Sequence, residues 1–190
     1  MGENTTAPAR RLAHTRQIDC RGYARDDGLY DIEARMTDTK GHLSYLLFKE
    51  VPAGGAIHDM WFTLTVDAEF VIREAYSRTE MAPTPYCPEV NAFYAKLAGI
   101  KLGSGFMREV KARVGGARGC THLTELLGPM ATTAYQTIMG LKNHGQPGAP
   151  AQDDQADKQA LPMLNSCHAW REGGEVVQIV RERRQPADAS

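Results

Sequence analysis

The apolar residues recur every second position up to about Pro83 and roughly every 3.6 positions after it, and this change of period limits the chain to a strand-rich half followed by a helical half. Tyr30, Ile32, Ala34 and Met36 alternate with Asp31, Glu33, Arg35 and Thr37, the pattern of a half-buried strand. Residues 15–25 precede it through Asp26-Asp27-Gly28, and an Asp-Gly step supplies the positive φ that a tight hairpin needs. After Pro52-Ala53-Gly54-Gly55, the run 57–66 puts Met60, Phe62, Leu64 and Val66 on one face and Trp61, Thr63 and Thr65 on the other, as if both faces were covered. Asp67-Ala68-Glu69 separates it from a further β-rich run, 70–78. The expectation is an antiparallel meander.

Beyond Pro83 the signals are helical. Pro88 suits the first turn of a helix carrying Val90, Phe93, Tyr94 and Leu97, with Gly99 at its end. Ser104 is placed to cap a second helix with Phe106, Met107 and Val110 inward, ended by Gly115-Gly116. The longest candidate, 121–139, aligns Leu123, Leu126, Leu127, Met130, Ala134 and Ile138, and Pro129 predicts a kink or a restart. Residues 175–180 read as a strand returning at the C-terminus. The predicted fold class is therefore α+β: an N-terminal β-meander, three helices packing on it, and a C-terminal returning strand. Residues 1–11 read as a flexible arm, 12–181 as a single domain with a mobile loop over 143–160, and 182–190 as a charged tail.

Charge then narrows the function classes. With 22 basic and 23 acidic residues the formal net charge is −1, so no electrostatic field draws the chain to nucleic acid or to a membrane surface. No stretch has the roughly 18 apolar residues of a membrane span, and the N-terminus lacks a signal-peptide core, so the chain reads as cytoplasmic. Its four cysteines are then expected as reduced thiols, metal ligands or small buried hydrophobes. GxGxxG, Walker-type, GxSxG and HExxH signatures are missing, which disfavours nucleotide chemistry.

Three clusters can carry chemistry. Gly119-Cys120-Thr121-His122-Leu123-Thr124-Glu125 opens the long helix, where free N–H groups favour negative charge at Cys120 and an i,i+3 spacing lets His122 pair with Glu125. The plainer alternative makes Thr121 a cap, Cys120 a buried small residue and His122 a core histidine. Cys87, Cys120, His122 and Cys167 together supply enough sulfur and nitrogen for a zinc site, although their separations are not those of a zinc ribbon. In the meander, Asp31 and Glu33 on one strand and His58-Asp59 on another suit general acid–base work, with Asp59 or Glu33 orienting His58. Tyr23, Tyr30, Arg35, Trp61 and Tyr76 are candidates to line an adjoining aromatic pocket. A solvated polar face is the alternative there.

The stretches YARDDGLYDIE (23–33), IHDM (57–60), YCP (86–88), GCTHLTELL (119–127), ATTA (131–134) and CHA (167–169) resemble the bacterial family named domain of unknown function 2889, over about residues 10–181. The family is similar in setting to enzymes of aromatic catabolism. The resemblance implies a formaldehyde-releasing lyase acting on lignin-derived phenylpropanoid dimers. The order of elements also resembles the iron–sulfur scaffold fold, whose ligand motifs do not match here residue by residue. The leading expectation is a cofactor-independent carbon–carbon lyase for an aromatic primary alcohol. His58 serves as base with Asp59 or Glu33, and His122 with Glu125 is the second candidate pair. The alternatives are a zinc- or other metal-binding or aromatic-ligand-binding protein using Cys87, Cys120, His122 and Cys167, and a nucleophilic Cys120. The expected partner is a small aromatic substrate, and a homodimer is an allowed assembly.

Overall fold

The computed structural model describes residues 8–142 and 163–184. Residues 1–7 of the expected arm, the whole 143–160 loop and residues 185–190 of the expected tail lie outside the described residues. The chain divides into two compact units, Met1–Leu141 and Lys142–Ser190.

The first unit holds the meander. Strands β1 (His14–Ala24), β2 (Tyr30–Lys40), β5 (Ala56–Val66) and β6 (Ile72–Met81) form one antiparallel sheet in the order β1-β2-β5-β6. A short pair, β3 (Ser44–Tyr45) and β4 (Glu50–Val51), interrupts the path from β2 to β5. The Asp-Gly turn forms where expected. Gly28 takes a φ of 83°, Arg25 N–H donates to Leu29 O at 2.9 Å, and Asp27 Oδ1 accepts from Leu29 N–H at 3.2 Å.

Alternation assigns the two faces of the sheet. Ile32, Ala34 and Met36 of β2 and Met60, Phe62, Leu64 and Val66 of β5 are buried in the core. Helical segments cover this face: a 3-10 segment (Cys87–Leu97), α1 (Phe106–Val114) and α2 (Thr121–Lys142). All six residues of the long helical stripe, Leu123 to Ile138, are fully buried in the same core. On the opposite sheet face Thr65 is buried, Trp61 and Thr63 are half-buried and Tyr76 is exposed, so among the described residues this face is covered only in part, where the sequence had implied cover on both.

Several local expectations need correction. The helix opened near Pro88 winds as 3-10. Gly105, at φ 83°, and not Ser104, precedes α1, because a left-handed residue is required there and glycine adopts it without strain. Pro129 causes no restart; α2 is one helix, and Thr133 Oγ1 donates to the Pro129 carbonyl at 3.0 Å. In the second unit the expected returning strand is a helix, α3 (Glu175–Arg184). The β-branched Val176, Val177, Ile179 and Val180 run into Arg181-Glu182-Arg183-Arg184, strong helix formers, and the first helical bond runs from Gln178 N–H to Gly174 O at 3.1 Å.

Strand β1 meets α2 at Gly22, where an added Cβ would sit 1.9 Å from Thr137 Oγ1. Only a residue without a side chain permits that approach. Gly22→Ala should lower the unfolding free energy by about 1–3 kcal/mol, read by urea titration. Adding Thr137→Ala should restore part of the loss.

Candidate active site

Three polar residues break the apolar phase of the sheet's helix-facing side. Arg16, Asp38 and His58 occupy the positions that continue the Ile18, Met36 and Met60 rows, and they are direct cross-strand neighbours: Arg16 pairs with Asp38, and Asp38 with His58. Register shifts flank His58 on both sides, between Asp38 and Thr39 toward β2 and between Asp59 and Met60 toward β6. Such bulges turn a strand locally and change where its side chains aim. Asp38 is 1% exposed and His58 8%.

The Asp38 carboxylate is saturated. Arg16 donates from Nε to Oδ1 at 2.9 Å and from Nη2 to Oδ2 at 2.8 Å, His58 Nδ1 lies 2.9 Å from Oδ2, and His14 Nε2 lies 3.2 Å from Oδ1. A carboxylate can only accept, so the neutral His58 ring carries its proton on Nδ1 and leaves a lone pair on Nε2. His122, on the first turn of α2, brings its ring to 3.9 Å from that of His58, at 34°. Glu125 accepts from Arg16 Nη1 at 2.5 Å, so the guanidinium bridges the two acids.

Electrostatics follow from burial and these neighbours. Burial pushes the Asp38 carboxyl up, but the hydrogen bonds and charge of Arg16 outweigh it and, with the His58 bond, hold the group down at about 2. Burial lowers His58, and the adjacent His122 lowers it further, against the pull of Asp38. His122 is lowered by burial first and then by Arg16. Both rings are therefore neutral near pH 7 and able to accept a proton, and the proximity of the rings disfavours charging both at once.

The α2 terminus that delivers His122 is fastened from below. The Tyr94 hydroxyl donates to Cys120 O at 2.8 Å, accepts from Cys120 N–H at 2.9 Å, and meets Thr124 Oγ1 at 2.9 Å. Its ring packs edge-on against Phe62, 5.1 Å away.

The remaining sequence candidates are placed elsewhere. Asp59 and Glu33 cannot orient His58, because both fall on the opposite phase of their strands; Asp59 instead takes Arg35 through bonds of 2.9 and 2.7 Å. Trp61 shares that outer face, sandwiched by Arg35 and Arg78 at 5.0 and 4.9 Å, as do Tyr23 and Tyr76. Tyr30 faces the core but lies eight residues from Asp38 on β2, about 27 Å along the strand. None of the five expected pocket residues adjoins His58. Glu125 binds Arg16, not His122 as the spacing implied; His122 Nδ1 instead has Cys120 Sγ at 3.8 Å.

Asp38, Arg16 and His14 went unpredicted. A signal existed: each sits on the apolar phase of its strand, where an unpartnered charge is expensive.

Among the described residues, Asp38, His58 and His122 are the one group of three or more potential metal ligands, with one atom from each lying within 4.8 Å of the others. Arg16 already holds both Asp38 oxygens, so a cation on all three would have to compete with it. Cys87 Sγ lies 3.2 Å from Thr84 Oγ1, and Cys87 and Cys120 are outside that group. Cys167 is an exposed residue of the second unit.

An α+β chain with a carboxylate–histidine pair buried between the end of an antiparallel sheet and the first turn of a helix is the class these features define. Residues 14–136, well over half of the chain, match the family model described as "Protein of unknown function (DUF2889)", and the chain belongs to that family. The match covers every residue of the polar cluster and ends within α2, before Cys167 and His168. No curated protein and no solved structure matches the chain. Among the described residues, no helix is long and apolar enough to cross a membrane.

Stability should be sensitive to acid in two ranges. His58 and His122 have depressed folded values, so below about pH 6.5 the unfolded chain binds more protons and the fold loses stability. Asp38, lowered from 3.8 to about 2, adds stability that is present above 3.8 and lost as pH falls toward 2. Urea midpoints should drop between about pH 7.5 and 5.5 and again below about pH 4. A flat profile over the upper range contradicts the histidine assignment.

Proposed function

We propose that this protein is a cofactor-independent carbon–carbon lyase that releases formaldehyde from an aromatic primary alcohol of the phenylpropanoid-dimer type. The observation that carries the reading is the Asp38–His58–His122 array, in which a buried carboxylate fixes one imidazole as a neutral base beside a second imidazole. His58 Nε2 removes the hydroxyl proton of the side-chain CH2OH group. The oxygen electrons form the carbonyl of formaldehyde as the carbon–carbon bond breaks. That bond's electron pair becomes a stilbene-type double bond and expels the neighbouring aryl ether oxygen, which takes a proton from an imidazolium. Proton and electrons balance without any oxidant. Asp38 stabilises the transient imidazolium at His58, and Arg16 keeps Asp38 ionised throughout.

Purified protein incubated with phenylpropanoid dimers bearing a primary alcohol should release formaldehyde and stilbene in equal amounts. His58→Gln should lower kcat by about 10²–10⁴, and Asp38→Asn should also slow turnover. Absence of both products across such dimers overturns the reading.

A second reading, metal binding without turnover, draws support from the same convergence and moves the donor set from the expected cysteines to Asp38, His58 and His122. Elemental analysis after chelator-free purification separates the two. Near-stoichiometric zinc or iron, lost in a His58→Gln/His122→Gln variant, favours the metal; sub-stoichiometric content removes it.

A further inference from the structure

The end of the sheet that carries Asp38 and His58 also carries a cavity of about 420 Å³, lined by Phe48, Lys49, residues 79–85 and Pro88. This volume is in the range of small-molecule sites. Its walls come from three places. The β3–β4 turn contributes Phe48 and Lys49, the end of β6 contributes Thr79 to Met81, and the approach to the 3-10 segment with its first turn contributes Pro83, Pro85 and Pro88. Phe48 of this wall meets Tyr86 edge-on, with ring centroids 5.9 Å apart.

Register ties this cavity to the polar array. Thr79 is the cross-strand partner of Met60, and Met81 that of Asp59, the residue after His58. Thr79 therefore lies one strand over and two residues along from His58, roughly 8 Å between backbones. Its side chain shares the helix-facing side with His58.

The charges of the cavity are unequal in availability. Glu80 is paired with Arg78 at 3.0 Å. Lys49 is half-buried and has no acidic partner among the described residues. A wall of aromatic, proline and methionine side chains with one uncompensated ammonium is complementary to a flat apolar ring that carries a negative charge.

We propose that the cavity between Phe48, Lys49, Met81 and Pro83 binds an aromatic ring bearing an anionic group, carboxylate or phenolate, with the anion on Lys49 and the ring against Phe48. As a statement about substrate class it rests on the acid–base reading of His58, since it places the ring beside that base. As a binding site it stands or falls separately. An aromatic alcohol carrying an acid elsewhere in the molecule would be anchored at Lys49 while its hydroxymethyl arm reaches the imidazoles.

The test is calorimetric titration of the full chain at about pH 8, where a carboxylate is ionised and both imidazoles are neutral. The probes are 3-phenylpropanoate, its neutral analogue 3-phenylpropan-1-ol, and hexanoate as an anion without a ring. Saturable binding should favour 3-phenylpropanoate over both others. Lys49→Met should weaken it about fivefold or more while leaving the alcohol unchanged, and Phe48→Ala should weaken both aromatic probes. Phe48 is half exposed, and thermal melting checks that each variant is folded. No saturable binding of 3-phenylpropanoate, equal binding of hexanoate, or affinity unchanged in both variants overturns the proposal. So does a dimer, seen by sedimentation, that closes this face against all three probes. Binding without formaldehyde release in the dimer assay leaves the cavity and removes the lyase. Formaldehyde release undiminished in both variants removes the cavity as a substrate subsite and leaves the lyase.

Discussion

A single buried negative charge organises the chemistry of this fold. Asp38 stands at a position where its strand otherwise presents Ile32, Ala34 and Met36 to the core, and a lone carboxylate there would be too costly to stay ionised. Arg16 makes it tolerable by giving two parallel hydrogen bonds from the neighbouring strand. That arrangement fixes the rest in turn. The Arg16 fork reaches on to Glu125 of α2, His58 is held in one tautomer, and the α2 terminus is drawn over the end of the sheet, so that His122 meets His58 ring to ring.

The sheet separates two kinds of polar chemistry by phase. Its inner side carries a row in which the buried Asp38 and His58 meet the more exposed Arg16 through well-defined partners. Its outer side carries Arg35, Asp59, Trp61 and Arg78, whose ion pair and ring contacts are solvated and of modest worth. Adjacent residues such as His58 and Asp59 therefore belong to different environments. Proximity in sequence is a poor guide to proximity at a site on a strand, and cross-strand register is the relevant measure.

How much could be read in advance differs between elements for a physical reason in each case. The hairpin at Gly28 and the buried stripe of α2 were legible because each depends on local geometry: a positive φ in one, a 3.6-residue period in the other. The fate of residues 175–180 was not, because Val and Ile fit a strand or a helix and the adjoining arginine-rich turn decided it. His58 and His122 were recognisable as reactive side chains. Their meeting was not, since 64 residues separate them and only packing of α2 on β5 joins them.

From sequence alone came the α+β order of elements, the near-neutral net charge, and the residue types able to move a proton. These depend on chain-local pattern and composition, which folding does not change. Which groups would act together was settled only in three dimensions. Asp38 replaced Asp59 and Glu33 beside His58, Arg16 took Glu125 from His122, and Tyr23, Trp61 and Tyr76 of the expected aromatic wall went to the far face. The reason is the period of two in an extended chain: one step along a strand carries a side chain from the core to the opposite face, while one step across the sheet keeps it on the same side within reach of its neighbours.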